Sequence, residues 1–209
     1  MGRFYQISSD PAVSWQKFLE GNREALGDIF RWHFSDLVAY GTKIIGSDEL
    51  VKDHIQELFI HLWEKRLQLA MVTNVKVYLL ISLKNSLLQD LKRVRCDELG
   101  PEIKNKLFVI SCEDFLIRKE QESELACKVA ACLEKLTARQ REMIYLRFYL
   151  NLDFVHLAEV MEMNVQSVRN LLFRTLEKIR QEVDGSDFQS GNIELILVTL
   201  FGHYTVCAG

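Results

Sequence analysis

The stretch at Phe154–Leu171 constrains the fold most, because its apolar residues recur at the spacing of two short helices that meet at a sharp angle. A small residue, Ala158, stands where those helices would touch. The positions that would face the other helix are all apolar: Leu157, Met161, Met163, Val168 and Leu171. This pattern is typical of a helix-turn-helix, whose second helix presents polar side chains to the DNA major groove. It therefore predicts a DNA contact.

Composition favours an all-α protein. The 209 residues include only two prolines and ten glycines, and the apolar residues follow a 3.6-residue period over long stretches. We find no run of about 18 apolar residues that would span a bilayer. The first eleven residues lack the apolar core of a signal peptide. We therefore expect a cytoplasmic protein.

The periodicity divides the chain into two small helical domains joined by a flexible linker. Residues 11–95 read as an N-terminal helical bundle. The pattern fails over residues 96–117, around Gly100-Pro101, and this segment is predicted to be the linker. Helical patterns resume over residues 118–183. Residues 184–209 form a tail of unknown role, apolar from about Asn192, for which we favour packing within the chain.

Local signals place the helix ends. The predicted capping residues are Asp10, Gly46, Ser47, Thr73, Thr137, Asp153 and Asn164. Glu162 stands at the turn position where a helix-turn-helix prefers glycine, since φ is often positive there. The strain would cost about 1 kcal/mol, which a packed unit tolerates.

The net charge of −3 hides an uneven distribution. Residues 1–95 carry +2, the linker −3, residues 118–183 carry +1, and the tail −3. Neutralising phosphates supplies most non-specific DNA affinity, so two weakly basic units predict poor DNA binding by the chain alone. We expect a partner that holds the chain on DNA.

The C-terminal unit resembles region 4 of bacterial RNA polymerase sigma factors over Leu136–Arg180, and response regulators carry similar units. Asp53–Trp63 resembles the D-x-x-Q-E-x-F-x-x-x-W signature of sigma region 2. Val75–Leu79, followed by Asn85, is similar to the segment that engages the −10 promoter element. Together these matches resemble the extracytoplasmic-function (ECF) group, which keeps only regions 2 and 4. The amino-acid sequence of the recognition helix is similar to that of family members found in the Bacteroidetes.

The resemblance implies a sigma factor that directs core RNA polymerase to promoters, and not an enzyme. Its implied partners are core polymerase, promoter DNA and a membrane-bound anti-sigma factor, with no cofactor, metal or small-molecule substrate. Region 2 would dock on polymerase and melt the −10 element. Region 4 would read the −35 element.

Three groups of residues are assigned to these contacts. The face that would dock on polymerase comprises residues at i, i+3 and i+4 of one helix: Asp53, Gln56 and Glu57. The −10 contacts would come from Lys76, Tyr78, Lys84, Asn85, Lys92 and Arg93. The −35 contacts would come from Gln166, Ser167, Arg169 and Asn170 at base edges, with Arg174 toward phosphate.

Simpler interpretations stay open. The acidic face would then be only solvated, and Tyr78 would pack inward. The family usually carries tryptophan at the position of Tyr78 and an acid near Gln89, so the base contacts are less certain than the surface. We expect Phe59, Leu62 and Trp63 to lie in the bundle core.

Three other function classes compete with the sigma factor. The first is a stand-alone helix-turn-helix regulator with an N-terminal sensor or dimerisation bundle. The second is an enzyme or metal protein, for which the evidence is weak. His54 and His61 are too far apart to share an ion, five cysteines lack a CxxC motif, and no Ser-His-Asp set is apparent. The third is an anti-sigma factor or adaptor that mimics these domains.

Overall fold

The computed structural model describes residues 10–95, 108–110 and 131–183, which belong to two compact units divided between residues 98 and 99. All regular structure in these residues is helical, as the composition predicted. No helix within them is long and apolar enough to cross a membrane. The predicted tail and most of the predicted linker lie outside the described residues.

Within residues 10–95, the first unit has four α-helices: α1 Pro11–Leu19, α2 Arg23–Ile45, α3 Asp48–Lys65 and α4 Val75–Arg95. A single 3₁₀ turn, Arg66–Gln68, follows α3. The predicted ends at Asp10, Gly46 and Ser47 are confirmed, with Gly46 in the left-handed conformation at φ 74°. The prediction for α4 was wrong by one residue. Asn74, not Thr73, accepts the Val77 N–H through its side chain at 3.1 Å.

The core of the first unit lies between these helices. Its fully buried side chains include Trp15, Phe18, Ile29, Leu37, Tyr40, Ile55, Leu79, Leu80, Leu83 and Leu87. Each contributes about 1.5–3 kcal/mol by leaving water. Trp15 also donates from Nε1 to the Ala70 carbonyl at 3.2 Å, which ties the segment before α4 to α1.

At Gly41, α2 lies close to side chains of α3 and α4. A Cβ there would lie 2.6 Å from Val51 Cγ1 and 3.4 Å from Leu83 Cδ2. We expect Gly41→Ala to lower the free energy of unfolding by about 1–3 kcal/mol through overpacking, despite the higher helix propensity of alanine. A Cβ at Gly27, on the same helix, would contact only the flexible end of the Arg31 side chain. Gly27→Ala should therefore raise the free energy of unfolding by up to about 1 kcal/mol. Urea denaturation of both variants tests this difference in sign. Two stabilised variants would contradict it.

The second unit contains helical backbone at 131–134, then α5 Ala138–Ile144, α6 Phe154–Val160 and α7 Val165–Val183. One π-helical turn, Tyr145–Tyr149, extends α5. The predicted caps are confirmed by their hydrogen bonds: Thr137 forms a capping box with Gln140, Asp153 accepts from His156 N–H, and Asn164 accepts from Ser167 N–H.

Phe108–Ile110, within the predicted linker, packs into this second unit. Phe108 and Ile110 are buried while Val109 between them is exposed, as in an extended strand. Arg141 donates from Nε to the Phe108 carbonyl at 2.6 Å and from Nη1 to the Leu136 carbonyl at 2.6 Å. Burial lowers the pKa of this guanidinium. Three residues that alternate between buried and exposed are too few to show a period in the sequence. The sequence therefore predicted only a linker here.

Candidate nucleic-acid and partner interfaces

The helix-turn-helix forms as its apolar pattern predicted. Leu157, Ala158 and Val168 are buried between α6 and α7, and Met161 is buried at the turn. Glu162 has φ 52°, which confirms the left-handed turn residue. Met163 N–H closes the turn on the Ala158 carbonyl at 2.9 Å.

The outer face of α7 carries the residues predicted to read base edges. Gln166, Arg169 and Asn170 are exposed, and Ser167 is half-buried beside its cap. Gln166 donates from Nε2 to Asn170 Oδ1 at 3.1 Å. The Arg169 guanidinium lies over the Phe154 ring, 5.3 Å from its centroid. These contacts restrict the side chains before any DNA arrives, which reduces the entropy that binding would cost.

Phe173 belongs to this face and was not predicted. Its side chain is 67% exposed, although large hydrophobic residues usually leave water. It lies four residues after Arg169 and three after Asn170, on the same side of the helix. The buried positions of α7 are Val168, Leu172, Thr175, Leu176 and Ile179. The sequence could have indicated this exposed position, because residue 173 falls outside the apolar period of the buried residues of α7.

Other polar groups of the second unit are used internally. Lys178 Nζ donates to the Lys135 carbonyl at 2.6 Å, so it holds two helical segments together. His156 lies 3.1 Å from Asp153, its own capping residue. Arg174, by contrast, is exposed, and its phosphate contact stays a prediction. Burial raises the pKa of the Cys132 thiol, which makes it a poor nucleophile.

The residues predicted to contact the −10 element divide into two sets on α4. Lys76 is held by an ion pair with Asp36 at 2.8 Å. Tyr78 is half-buried and packs edge-on against Trp15, with ring centroids 5.3 Å apart, which favours the inward-packing interpretation. The set farther along the helix is more accessible, with Lys84 half-buried and three exposed residues: Asn85, Lys92 and Arg93.

Two exposed apolar residues lie in the segment between α3 and α4. Leu67 is 82% exposed and Met71 is 57% exposed. The hydrogen bond from Trp15 to Ala70 anchors this segment next to Met71. Apolar side chains presented in this way are suited to insertion between unstacked bases.

An aromatic groove adjoins the predicted docking face on α3. Asp53, Gln56 and Glu57 are all exposed, and Gln56 also lines the groove. The groove has a volume of about 680 Å³, and its other lining residues are Phe30, Phe34, Lys52, Phe59, Ile60, Trp63 and Glu64. Phe59 and Leu62 are buried as predicted. Trp63 is not fully in the core, because its half-buried ring lies under the guanidinium groups of Arg23 and Arg66.

No group of three or more metal-ligating side chains occurs among the described residues. His61 Nδ1 instead lies 2.9 Å from the Glu57 carbonyl of its own helix.

Comparison with known proteins adds a family and two related folds. Residues 128–179 match the family described as Sigma-70, region 4. No curated protein sequence matches the chain. The structure of CnrH in complex with the cytosolic domain of CnrY has a TM-score of 0.55 and 22% identity, covering 85% of this chain and 99% of that one. The sigma factor RpoE of Bartonella quintana, in complex with the anti-sigma factor NepR, has a TM-score of 0.52 and 18% identity, covering 75% and 96%. The chain thus has the fold of CnrH and of the sigma factor RpoE, and its α5–α7 unit matches Sigma-70 region 4.

Proposed function

We propose that the chain is a Bacteroidetes-like sigma factor of the ECF group that directs core RNA polymerase to promoters. The exposed polar face of α7, in a unit that matches Sigma-70 region 4, carries this proposal. Residues 118–183 read the −35 element. Residues 11–95 dock on polymerase and melt the −10 element. Residues 96–117 link the two.

Charge explains why two units are needed. Residues 1–95 carry +2 and residues 118–183 carry +1, so neither alone neutralises many phosphates. When polymerase holds the first unit, the second meets promoter DNA at a high effective concentration, and two weak contacts act as one strong one. The function is therefore binding and positioning rather than catalysis by this chain, and it needs no cofactor or small-molecule substrate.

The first unit supplies the surfaces for melting. Asn85 offers an amide to a base edge, and Lys92 and Arg93 offer charge to phosphates. Leu67 and Met71 supply apolar surface against which an unstacked base is stabilised.

An anti-sigma factor is the further partner we propose. The two related folds were solved with the cytosolic domain of CnrY and with the anti-sigma factor NepR. The aromatic groove of this chain lies beside Gln56 and provides a site for apolar side chains of such a partner. We place the chain in the cytoplasm, with its anti-sigma factor anchored in the membrane.

Run-off transcription tests the function. Purified chain is added to core RNA polymerase from the same bacterium with a library of its promoter fragments, and the transcripts are sequenced. The sigma factor predicts transcripts from a defined promoter class, and weak duplex binding without polymerase. The stand-alone regulator predicts the reverse: sequence-specific shifts of duplex DNA and no run-off product.

Phe173 should read a thymine methyl group in the −35 element, because apolar side chains contact that methyl in the major groove. Replacing the contacted thymine by deoxyuridine removes one methyl, worth about 0.8 kcal/mol or roughly fourfold in run-off yield. We expect this loss for the wild type and for Arg169→Ala, whose overall yield is lower. Phe173→Ala should respond equally to thymine and deoxyuridine at every −35 position. A Phe173→Ala variant that keeps the wild-type sensitivity would exclude the methyl contact.

A further inference from the structure

Three side chains that are distant in sequence form a line between α3 and α4. His54 of α3 places Nδ1 2.8 Å from Ser86 Oγ and Nε2 3.3 Å from Asp90 Oδ2. Ser86 and Asp90 both belong to α4. The histidine lies 32 residues from the serine, so only the packing of α3 on α4 brings the three side chains together.

The chemistry of the ring fixes its orientation. Nδ1 is hydrogen-bonded to the Ser86 hydroxyl, and Nε2 faces the Asp90 carboxylate within ion-pair distance. Both nitrogens are engaged, and the His54 side chain is only 12% exposed. The ring is therefore held at both ends by α4.

This line is not suited to acyl transfer. An acyl-transfer site needs free backbone N–H donors beside the nucleophile to stabilise an oxyanion. Ser86 lies in the interior of the 21-residue helix α4, where backbone N–H groups bond to carbonyls one turn earlier. The geometry instead serves to connect two helices.

The connection joins two surfaces of the proposed function. His54 directly follows Asp53 of the docking face, and Ser86 directly follows Asn85 of the −10 surface. The remaining contact between these helices includes apolar side chains such as Ile55 and Leu83, and apolar packing is weakly directional. A hydrogen bond has strict geometry, so the bond between His54 and Ser86, together with the close contact of His54 with Asp90, restricts how α4 is rotated against α3.

We propose that His54 is a positioning residue that holds Asn85 in register with the polymerase-bound face of α3. This inference rests on the proposed sigma function and deepens it. When polymerase holds α3, the orientation of Asn85 toward the −10 base is then set through His54. Loss of the bridge leaves docking intact and weakens capture of the base.

A double-mutant cycle in run-off transcription tests the proposal. The template is a promoter that the wild-type chain transcribes with core polymerase. His54→Ala should lower the yield about tenfold, Asn85→Ala should lower it by a similar factor, and the double variant should be no more than twofold below Asn85→Ala. His61→Ala is the matched control, because His61 is exposed on the same helix and its ring contacts only the backbone carbonyl of Glu57 in that helix, with no contact to α4 among the described contacts. It should lower the yield in neither background.

Further variants separate positioning from stability. Asparagine at position 54 retains a polar atom near Nδ1, and glutamine retains one near Nε2, so His54→Asn keeps a partner for Ser86, His54→Gln keeps a polar group facing Asp90, and both should give intermediate yields. They also serve if His54→Ala does not fold. Affinity for core polymerase should stay within twofold of the wild type.

Equal losses from His54→Ala in both backgrounds would overturn the proposal, and so would an Asn85→Ala variant with full yield. A wild-type chain that yields no transcript would instead refute the sigma function itself.

Discussion

Acidification from pH 7 to pH 4 should lower the free energy of unfolding of the first unit by up to about 3 kcal/mol through His33 alone. His33 is buried in α2, and its Nε2 has no hydrogen-bond partner among the described residues. Its pKa is lowered from 6.5 to about 4, mainly by burial and also by the nearby Lys76, while Asp36 opposes both. One pKa unit corresponds to about 1.36 kcal/mol, which sets the size of the effect.

The sign follows from where the proton binds. Between about pH 6.5 and pH 4 the unfolded chain binds a proton at His33 and the folded chain does not. Acid therefore favours the unfolded state throughout this window, and the loss is complete below the folded pKa of about 4. Above pH 6.5 this residue contributes no dependence on pH.

Urea denaturation at several pH values measures the effect. His33→Leu removes the titrating group, so its stability should fall less steeply between pH 6.5 and pH 4 than that of the wild type, by up to about 3 kcal/mol in total. His61→Leu is the matched control, since His61 is exposed on α3. It should retain the wild-type slope. Parallel slopes for the wild type and His33→Leu would show that His33 titrates normally in the folded chain.

Helix ends were the part of the fold most accessible to sequence reasoning, because caps are local. α2 ends at Ile45, where the predicted Gly46 supplies the left-handed residue. α3 ends at Lys65, because the chain tightens there into a 3₁₀ turn. The Thr73 error was also local, because two adjacent residues could both accept a capping hydrogen bond.

Contacts between helices lay beyond sequence reasoning. Lys76 reads as a phosphate contact, yet Asp36 of α2 binds it, a partner that only the packing of α2 on α4 reveals. The His54 bridge depends on the same kind of information. Trp63 was placed in the core because it is aromatic, but Arg23 and Arg66 cover its ring at the surface instead. Phe173 differs from these, since the apolar period of α7 alone could have identified it.

Charge reversal at Glu57 should have the largest effect on function. Glu57→Arg is expected to weaken binding of the chain to core RNA polymerase about hundredfold, because a like charge set against a basic partner surface costs several kcal/mol. Asp53 and Glu57 are one turn apart on α3, and both are exposed. Like charges at this spacing destabilise a helix slightly, so placing Asp53 and Glu57 together does not stabilise α3. A positively charged partner would supply the compensation.

Two measurements isolate the docking contact from other effects of Glu57→Arg. Glu20→Arg reverses an exposed acid at the end of α1, outside the docking face, and its affinity for core polymerase should stay within twofold of the wild type. Binding of Glu57→Arg to duplex −35 DNA without polymerase should be unchanged, because the α7 face lies in the other unit. In the proposed function the first unit brings the second to promoters, so run-off yield should fall with core affinity and recover at high variant concentration. If yield fell while core affinity was retained, the acidic face would contact DNA or another subunit, and α3 would not be the docking helix.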